Sequence, residues 1–284
     1  MKKKLVFHLG HSAGFYSEFN NMVLAILYCR YNDIEFQLFS ADANFGKSKG
    51  WNDFFIPFCH ETRSRIHHYI NNRSTKPTGR KRKILLAFYK FFHPNTYLTY
   101  ELWNRIRHMD EDHPLEEIRQ RCSSIIGEIY RFNDMTKREV ETLEKKNEMG
   151  GLYLGLQIRR GDKVIEHQDV NLLEYLSIDA VSSFERIFVA TDDFGMVQAV
   201  KSALPGCKVY SLTAPNEKGY DHKAFMKLSK EQKAKQLMNL FAQMEILNKA
   251  NKVICTYSSN PGMFMGMRNV GQTIGVDFKD WLIW

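Results

Sequence analysis

The sequence has none of the motifs of the commonest nucleotide-binding classes. It contains no G-x-x-x-x-G-K-[ST] phosphate loop and no G-x-G-x-x-G fingerprint, so neither P-loop nor ordinary dinucleotide chemistry is supported. Its five cysteines are scattered, with no C-x-x-C pair and no histidine at zinc-finger spacing, which predicts reduced thiols and no zinc site. No window approaches the roughly 18 uncharged apolar residues that a membrane span requires. These absences predict a soluble protein of a reducing, cytoplasmic compartment.

The sequence does contain a regular alternation of strand-like and helix-like segments. Lys4 to Gly10 and Ile34 to Ser40 are typical of strands, and the residues between them have apolar side chains at helical spacing. The same alternation resumes after Gly150 and Gly151, beginning with a strand at Leu152 to Ile158. We therefore expect an α/β fold of doubly wound parallel sheets. The two glycines mark the predicted boundary between an N-terminal domain, 1–149, with a helical insertion at about 60–148, and a C-terminal domain, 150–284.

The positive charge is concentrated in one segment. The chain has a formal net charge of +8, but positions 62 to 100 hold nine Lys and Arg and no Asp or Glu. Within this segment, Arg80 to His93 joins a cationic cluster to an aliphatic and aromatic stretch, a pattern typical of helices that lie on anionic lipid. A core helix with a charged flank explains the pattern equally well. A more distant alternative is a nucleic-acid-binding segment, with Tyr69, Phe88 and Tyr89 available for stacking on bases.

Polar clusters follow four of the predicted strands, where ligands bind in parallel α/β sheets. They have the sequences HSAGFYS, QIRRGDK, VATDD and CTYSSN. Arg159 and Arg160 supply guanidinium groups suited to phosphate oxygens, and Lys163 adds a point charge. Ser258 and Ser259 stand just before a proline that opens a helix, where hydroxyls and backbone N–H groups bind anions. Together these residues predict a pocket for a diphosphate.

The adjacent carboxylates Asp192 and Asp193 allow two interpretations. A metal site is one, but neighbouring carboxylates point in different directions and chelate poorly. The other is that one carboxylate caps the following helix while its neighbour turns toward the pocket, and this is the interpretation we favour. Gly14 in the first cluster is either a simple turn residue or part of a binding loop.

Four of these blocks resemble the fucosyltransferase superfamily that includes the core α1,6-fucosyltransferases and the nodulation-factor fucosyltransferase. RRGDKV is similar to that group's arginine-rich phosphate motif, FVATDD to its strand ending in two aspartates, and VICTYSS to its last strand before a donor-binding serine. HSAGFYSEFNN is similar to the Gly-aromatic turn of its first domain, which includes Gly14 and Phe15. The resemblance implies a GT-B-like pair of Rossmann-like domains, a GDP-fucose donor, inversion at the sugar carbon, and no metal or other cofactor.

The resemblance also implies roles for individual residues. Arg159 would hold the β-phosphate, Lys163 would lie near the leaving diphosphate, and Ser259 would bind a phosphate oxygen. The catalytic base falls on a loop with three candidates, Glu166, His167 and Asp162, of which Glu166 is favoured.

Two positions depart from the family pattern, because Gln157 and Gln243 stand where a histidine and a guanine-binding aspartate are expected. A glutamine has both a donor and an acceptor for a base edge, so these two residues do not select guanine as an aspartate would. The acceptor would be a glycan, of the kind carried on bacterial surfaces or on lipid. Another nucleotide sugar as donor, or α1,2-fucosyl transfer, remains an alternative.

Overall fold

A computed structural model describes residues 2–10, 12–72, 76–147, 149–161 and 170–281. The chain divides into two compact units, Met1–Asn133 and Asp134–Trp284. Each unit contains a parallel β-sheet with helices packed on it.

The sheet of the first unit has four parallel strands in the order β3-β2-β1-β4. The strands are β1 (Lys4–His8), β2 (Glu35–Phe39), β3 (His60–Glu61) and β4 (Thr96–Leu98). The helices of this unit are α1 (Phe15–Tyr31), α2 (Ile66–Ile70), α3 (Arg80–Phe92), α4 (Thr99–Arg107) and α5 (Leu115–Ile129). Thirteen of the seventeen residues of α1 are buried, because this helix lies between the sheet and α5.

The sheet of the second unit has five parallel strands in the order β7-β6-β5-β8-β9. The strands are β5 (Leu154–Ile158), β6 (Arg186–Thr191), β7 (Lys208–Tyr210), β8 (Lys252–Cys255) and β9 (Thr273–Gly275). The helices are α6 (Asp134–Lys145), α7 (Leu172–Leu176), α8 (Phe194–Ala203), α9 (His222–Lys227), α10 (Lys230–Asn248) and α11 (Asn260–Arg268). All five residues of β5 are buried, as expected for a central strand covered on both faces.

The boundary between the two compact units lies at Asn133, N-terminal to the predicted boundary at residue 149. The reason is that α6, the charged helix before Gly150, packs along α10 and therefore belongs to the second unit. Three short strands, β3, β4 and β9, were not predicted from the sequence. Among the described helices, none is long and apolar enough to cross a membrane.

Candidate functional site

The candidate site of the second unit lies at the carboxyl ends of three neighbouring strands. In the sheet, Ile158 of β5 pairs with Thr191 of β6, and Gln157 pairs with Cys255 of β8. Because these strands are parallel and in register, the residues that follow them emerge along the same edge. The sequence clusters RRG, DD and TYSS therefore begin side by side.

Asp192 is the central acceptor of this edge. Its Oδ2 accepts a hydrogen bond from Nη1 of Arg159 at 2.6 Å and from the backbone N–H of Tyr220 at 2.9 Å. Its Oδ1 accepts from the backbone N–H of Arg160 at 2.8 Å. The side chains of Arg159 and Asp192 are only 18% and 16% exposed, so water screens their attraction weakly. This carboxylate therefore fixes the direction of the guanidinium group.

The loop before α9 also contacts Arg159, through the ring of Tyr220. The guanidinium carbon lies 4.5 Å from the centroid of the Tyr220 ring, within the range of a cation–π contact. Gly161 has a φ of 66°, and a Cβ there would come within 2.3 Å of the Tyr220 carbonyl oxygen. Only glycine combines this backbone conformation with this close approach. The glycine of the RRG sequence thus brings the loop against the strand end.

The two adjacent aspartates have separate structural tasks. Oδ1 of Asp193 accepts a hydrogen bond from the backbone N–H of Gly195 at 2.9 Å and caps α8, while Asp192 turns toward Arg159. The cap formed by Asp193 is confirmed, while the place of Asp192 in a ligand pocket stays a prediction. Within the described ranges, no group of three or more His, Cys, Asp or Glu side chains could hold a metal ion.

Ser259 lies at this edge, but its hydroxyl forms hydrogen bonds with other groups of the chain. Its hydroxyl accepts a hydrogen bond from the backbone N–H of Gly262 at 3.1 Å, which caps α11, and it lies 3.2 Å from Oε1 of Gln157. Ser259 and Gln157 are 1% and 3% exposed. A phosphate would reach the Ser259 hydroxyl only if these contacts rearranged, so its predicted role as a phosphate ligand stays a prediction. Ser258 is half-buried and lies nearer to solvent.

Two backbone N–H groups in the turn that precedes α11 are also bound within the chain. The carboxylate of Asp277, which follows β9, accepts from the N–H groups of Tyr257 at 2.7 Å and Ser258 at 3.0 Å. The side chain of Asp277 thus binds these two N–H groups, and the anion site predicted at Ser258 and Ser259 stays a prediction. Sequence inspection missed Asp277 and Tyr220, although Asp277 obeys the same rule that polar residues collect after parallel strands.

The remaining described candidates belong to α10 and to the first unit. Gln243 is 6% exposed within α10, one turn before Leu247, whose side chain packs against Gly155 near the start of β5. Gly14 caps α1 at a φ of −67°, a conformation open to other residues. Phe15 is 5% exposed and stacks on Phe55 in the aromatic core of the first unit, so its side chain serves packing.

Four predicted residues lie outside the described part of the chain. They are Asp162, Lys163, Glu166 and His167. The identity of the catalytic base and the role of Lys163 therefore stay predictions.

A second polar cluster, which sequence inspection missed, lies at the carboxyl edge of the first sheet. Asp42 accepts hydrogen bonds from Nε2 of His8 at 2.8 Å and from Nδ1 of His68 at 2.5 Å. Burial alone would raise the pKa of Asp42, but its hydrogen bonds with the two histidines hold that pKa at about 2. His8 is buried, whereas the side chain of His68 is 44% exposed. The cluster therefore presents an ionised carboxylate and an oriented imidazole near the surface.

Comparison with known proteins supports the sequence resemblance. No known family model matches the chain. A segment of 149 residues, 48% of this chain, is 28% identical to an alpha-(1,6)-fucosyltransferase of Caenorhabditis elegans and covers 25% of that protein. The chain thus spans about a quarter of the length of that relative.

Solved structures show the same fold over almost the whole chain. A crystal structure of NodZ alpha-1,6-fucosyltransferase soaked with GDP-fucose matches with a TM-score of 0.56 at 11% identity and covers 94% of this chain and 92% of its own. A crystal structure of POFUT1 in complex with GDP-fucose matches with a TM-score of 0.53 at 10% identity, with 98% and 96% coverage. The resemblance to fucosyltransferases and the prediction of two parallel-sheet α/β units are confirmed.

Proposed function

We propose that this chain, which resembles fucosyltransferases in fold and in its strand-end motifs, is an inverting, metal-independent glycosyltransferase. It would move L-fucose from GDP-fucose to a hydroxyl group of a glycan. The observation that carries the proposal is the arrangement of Arg159, which Asp192 and Tyr220 hold in one orientation at the carboxyl edge of a parallel sheet.

The chemistry of Arg159 suits the departure of a nucleoside diphosphate. A guanidinium group has five N–H donors in a planar arrangement, which suits the oxygens of a phosphate group. As the bond between the sugar carbon and the β-phosphate oxygen breaks, negative charge develops on GDP. A cation held in a partly buried place, by contacts that exist before the reaction, stabilises this charge without reorganisation. In this proposal Arg159 and Lys163 supply the charge that Mg²⁺ supplies in other transferases.

The attacking hydroxyl of the acceptor must lose a proton as its oxygen bonds to the sugar carbon. Glu166 is the proposed base, with His167 and Asp162 as alternatives. Gln157 and Gln243 are the proposed guanine-contacting residues, through the donor and acceptor of a side-chain amide.

For the acceptor, we propose the first unit as the binding side. The carboxylate of Asp42 is 20% exposed, and a carboxylate accepts hydrogen bonds from sugar hydroxyls. Tyr69, half exposed beside His68, offers a ring on which a sugar can pack.

A surface or lipid-linked glycan is the proposed acceptor class, and the cytoplasm, at the inner membrane face, is the proposed location. Asp42→Asn should raise the KM for the acceptor and leave the binding of GDP unchanged.

The nucleotide can be identified by thermal unfolding of the full chain with GDP, UDP and ADP. A ligand present at 100 times its Kd stabilises the native state by about 2.7 kcal/mol, which for a unit of this size shifts Tm by roughly 5–10 °C. We expect such a shift with GDP alone. A larger shift with UDP or ADP would point to another nucleotide sugar.

Sugar specificity requires a direct assay. We expect release of GDP from GDP-fucose in preference to other GDP-sugars such as GDP-mannose, and a faster release when a glycan acceptor is added. No turnover of any GDP-sugar, despite a thermal shift with GDP, would restrict the function to nucleotide binding.

A further inference from the structure

Helix α3 has two faces, of which only one contributes to the core of the first unit. Leu86 and Tyr89 point inward, are 9% and 8% exposed, and pack with Ile70 and Leu98. The opposite face is exposed and apolar. Its residues, with exposed fractions in order, are Ile84 59%, Leu85 37%, Phe88 63%, Phe91 79% and Phe92 59%.

The exposed apolar residues of α3 form one surface. At 100° per residue, the five side chains fall within about 120° of the helix circumference. The ring of Phe92 lies 4.8 Å from that of Phe88 and 5.1 Å from that of Phe91, centroid to centroid. An aromatic side chain has roughly 150–250 Å² to bury, so these three rings alone expose about 400 Å². Such a patch matches the largest apolar patch of a typical soluble monomer, and patches of that size often mark a contact surface.

The N-terminal turn of α3 adds a dense positive charge. Arg80, Lys81, Arg82 and Lys83 are all exposed, and the first turn contains no acidic residue. The positive end of the helix dipole lies at this turn, so four cations there repel it. Gly79, at the N-cap, provides no side-chain hydrogen bond to the open N–H groups. An external anion would relieve both the repulsion and the unsatisfied N–H groups.

We propose that α3 is a docking helix for a membrane surface that contains anionic phospholipid. The cationic turn would contact lipid phosphates, and Phe88, Phe91 and Phe92 would enter the boundary between headgroups and acyl chains. A second copy of the chain that docked through its own α3 is a weaker occupant, because that helix, Arg80–Phe92, contains no carboxylate to pair with the cations. The proposal does not depend on the transferase activity.

The test is co-sedimentation of the full chain with vesicles of phosphatidylcholine alone or with 30% phosphatidylglycerol. We expect at least tenfold stronger partitioning into the anionic vesicles, and a decrease as salt is added. The double variant Phe88→Ser/Phe91→Ser should lose at least tenfold in partitioning. Leu173→Ser, which replaces an exposed apolar residue of the second unit, is the matched control and should bind as the wild type does.

The charge contribution has its own pair of variants. Lys81→Gln/Lys83→Gln should weaken binding to anionic vesicles severalfold, whereas Lys201→Gln/Lys208→Gln removes the same charge from the second unit and should not. Circular dichroism confirms that each variant is folded. Equal partitioning of the α3 variants and their controls would overturn the proposal. Absence of vesicle binding would also overturn it, if the phenylalanine variant instead converted a dimer to a monomer. The same holds if the chain bound oligonucleotides and no vesicles.

Discussion

The buried imidazole of His67 should make the stability of the first unit depend on pH. His67 is 2% exposed, its ring lies against those of Phe39 and Tyr89, and its Nδ1 has no hydrogen-bond partner among the described residues. Burial, with smaller effects from His8 and His93, lowers its pKa from 6.5 to about 4. The unfolded chain therefore binds a proton first as the pH falls, so stability is complete above pH 6.5 and is lost down to pH 4. This loss amounts to about 3 kcal/mol, of which about 2 kcal/mol has occurred at pH 5.

Urea unfolding at pH 8 and pH 5 measures this effect. His67→Phe keeps a ring in the same place but cannot take up a proton. The fall in unfolding free energy between pH 8 and pH 5 should therefore be smaller in the variant by about 2 kcal/mol. His60→Gln removes an exposed histidine and serves as the control, with the pH dependence of the wild type. If His67→Phe and the wild type lose stability equally at pH 5, the imidazole is not held neutral by burial.

Three other changes test the construction of the strand-end site. Asp192→Asn should lower the unfolding free energy by about 2–4 kcal/mol, because the NH₂ of the amide would face N–H donors and Arg159 would lose its counter-charge. A decrease of less than about 0.5 kcal/mol in urea unfolding would contradict this. Gly161→Ala should lower the unfolding free energy by about 1–3 kcal/mol through strain at positive φ, and should reduce the shift in Tm that GDP produces. Ser259→Ala should lower the unfolding free energy by about 1 kcal/mol because α11 loses its N-cap, whereas Ser258→Ala should change it by no more than about 0.5 kcal/mol. Equal effects of the two substitutions would contradict the assignment of Ser259 as the helix cap.

The sequence predicted the parts of the site that depend on local patterns. Short apolar segments located β5, β6 and β8, and the rule that polar residues collect at the carboxyl ends of parallel strands placed Arg159 and Asp192 at the same edge. The capping role of Asp193 followed from its place before a helix. These inferences succeed because strand direction and helix capping depend on neighbouring residues.

The rest depends on contacts between distant segments. Tyr220 lies in a loop that carries no local signal, and Asp277 follows a strand of only three residues that the sequence did not reveal. Tyr220 helps to orient Arg159, and Asp277 binds the N–H groups before α11. The position of Ser259, after a strand and before a helix, is typical of an anion ligand. Only the contact with Gln157 shows that its hydroxyl is buried. Phe15 resembles a loop residue in the sequence but belongs to the aromatic core. Strands of two or three residues, such as β3 and β4, are too short for alternation to detect.

Turnover by Arg159→Ala at saturating GDP-fucose tests the central proposal most directly. Arg186→Ala, which removes an arginine from the opposite edge of the same sheet, is the matched control. If Arg159 stabilises the departing diphosphate, kcat should fall by far more than tenfold in the first variant, while the control retains the turnover of the wild type. A fall in kcat of less than about tenfold for Arg159→Ala would contradict the account.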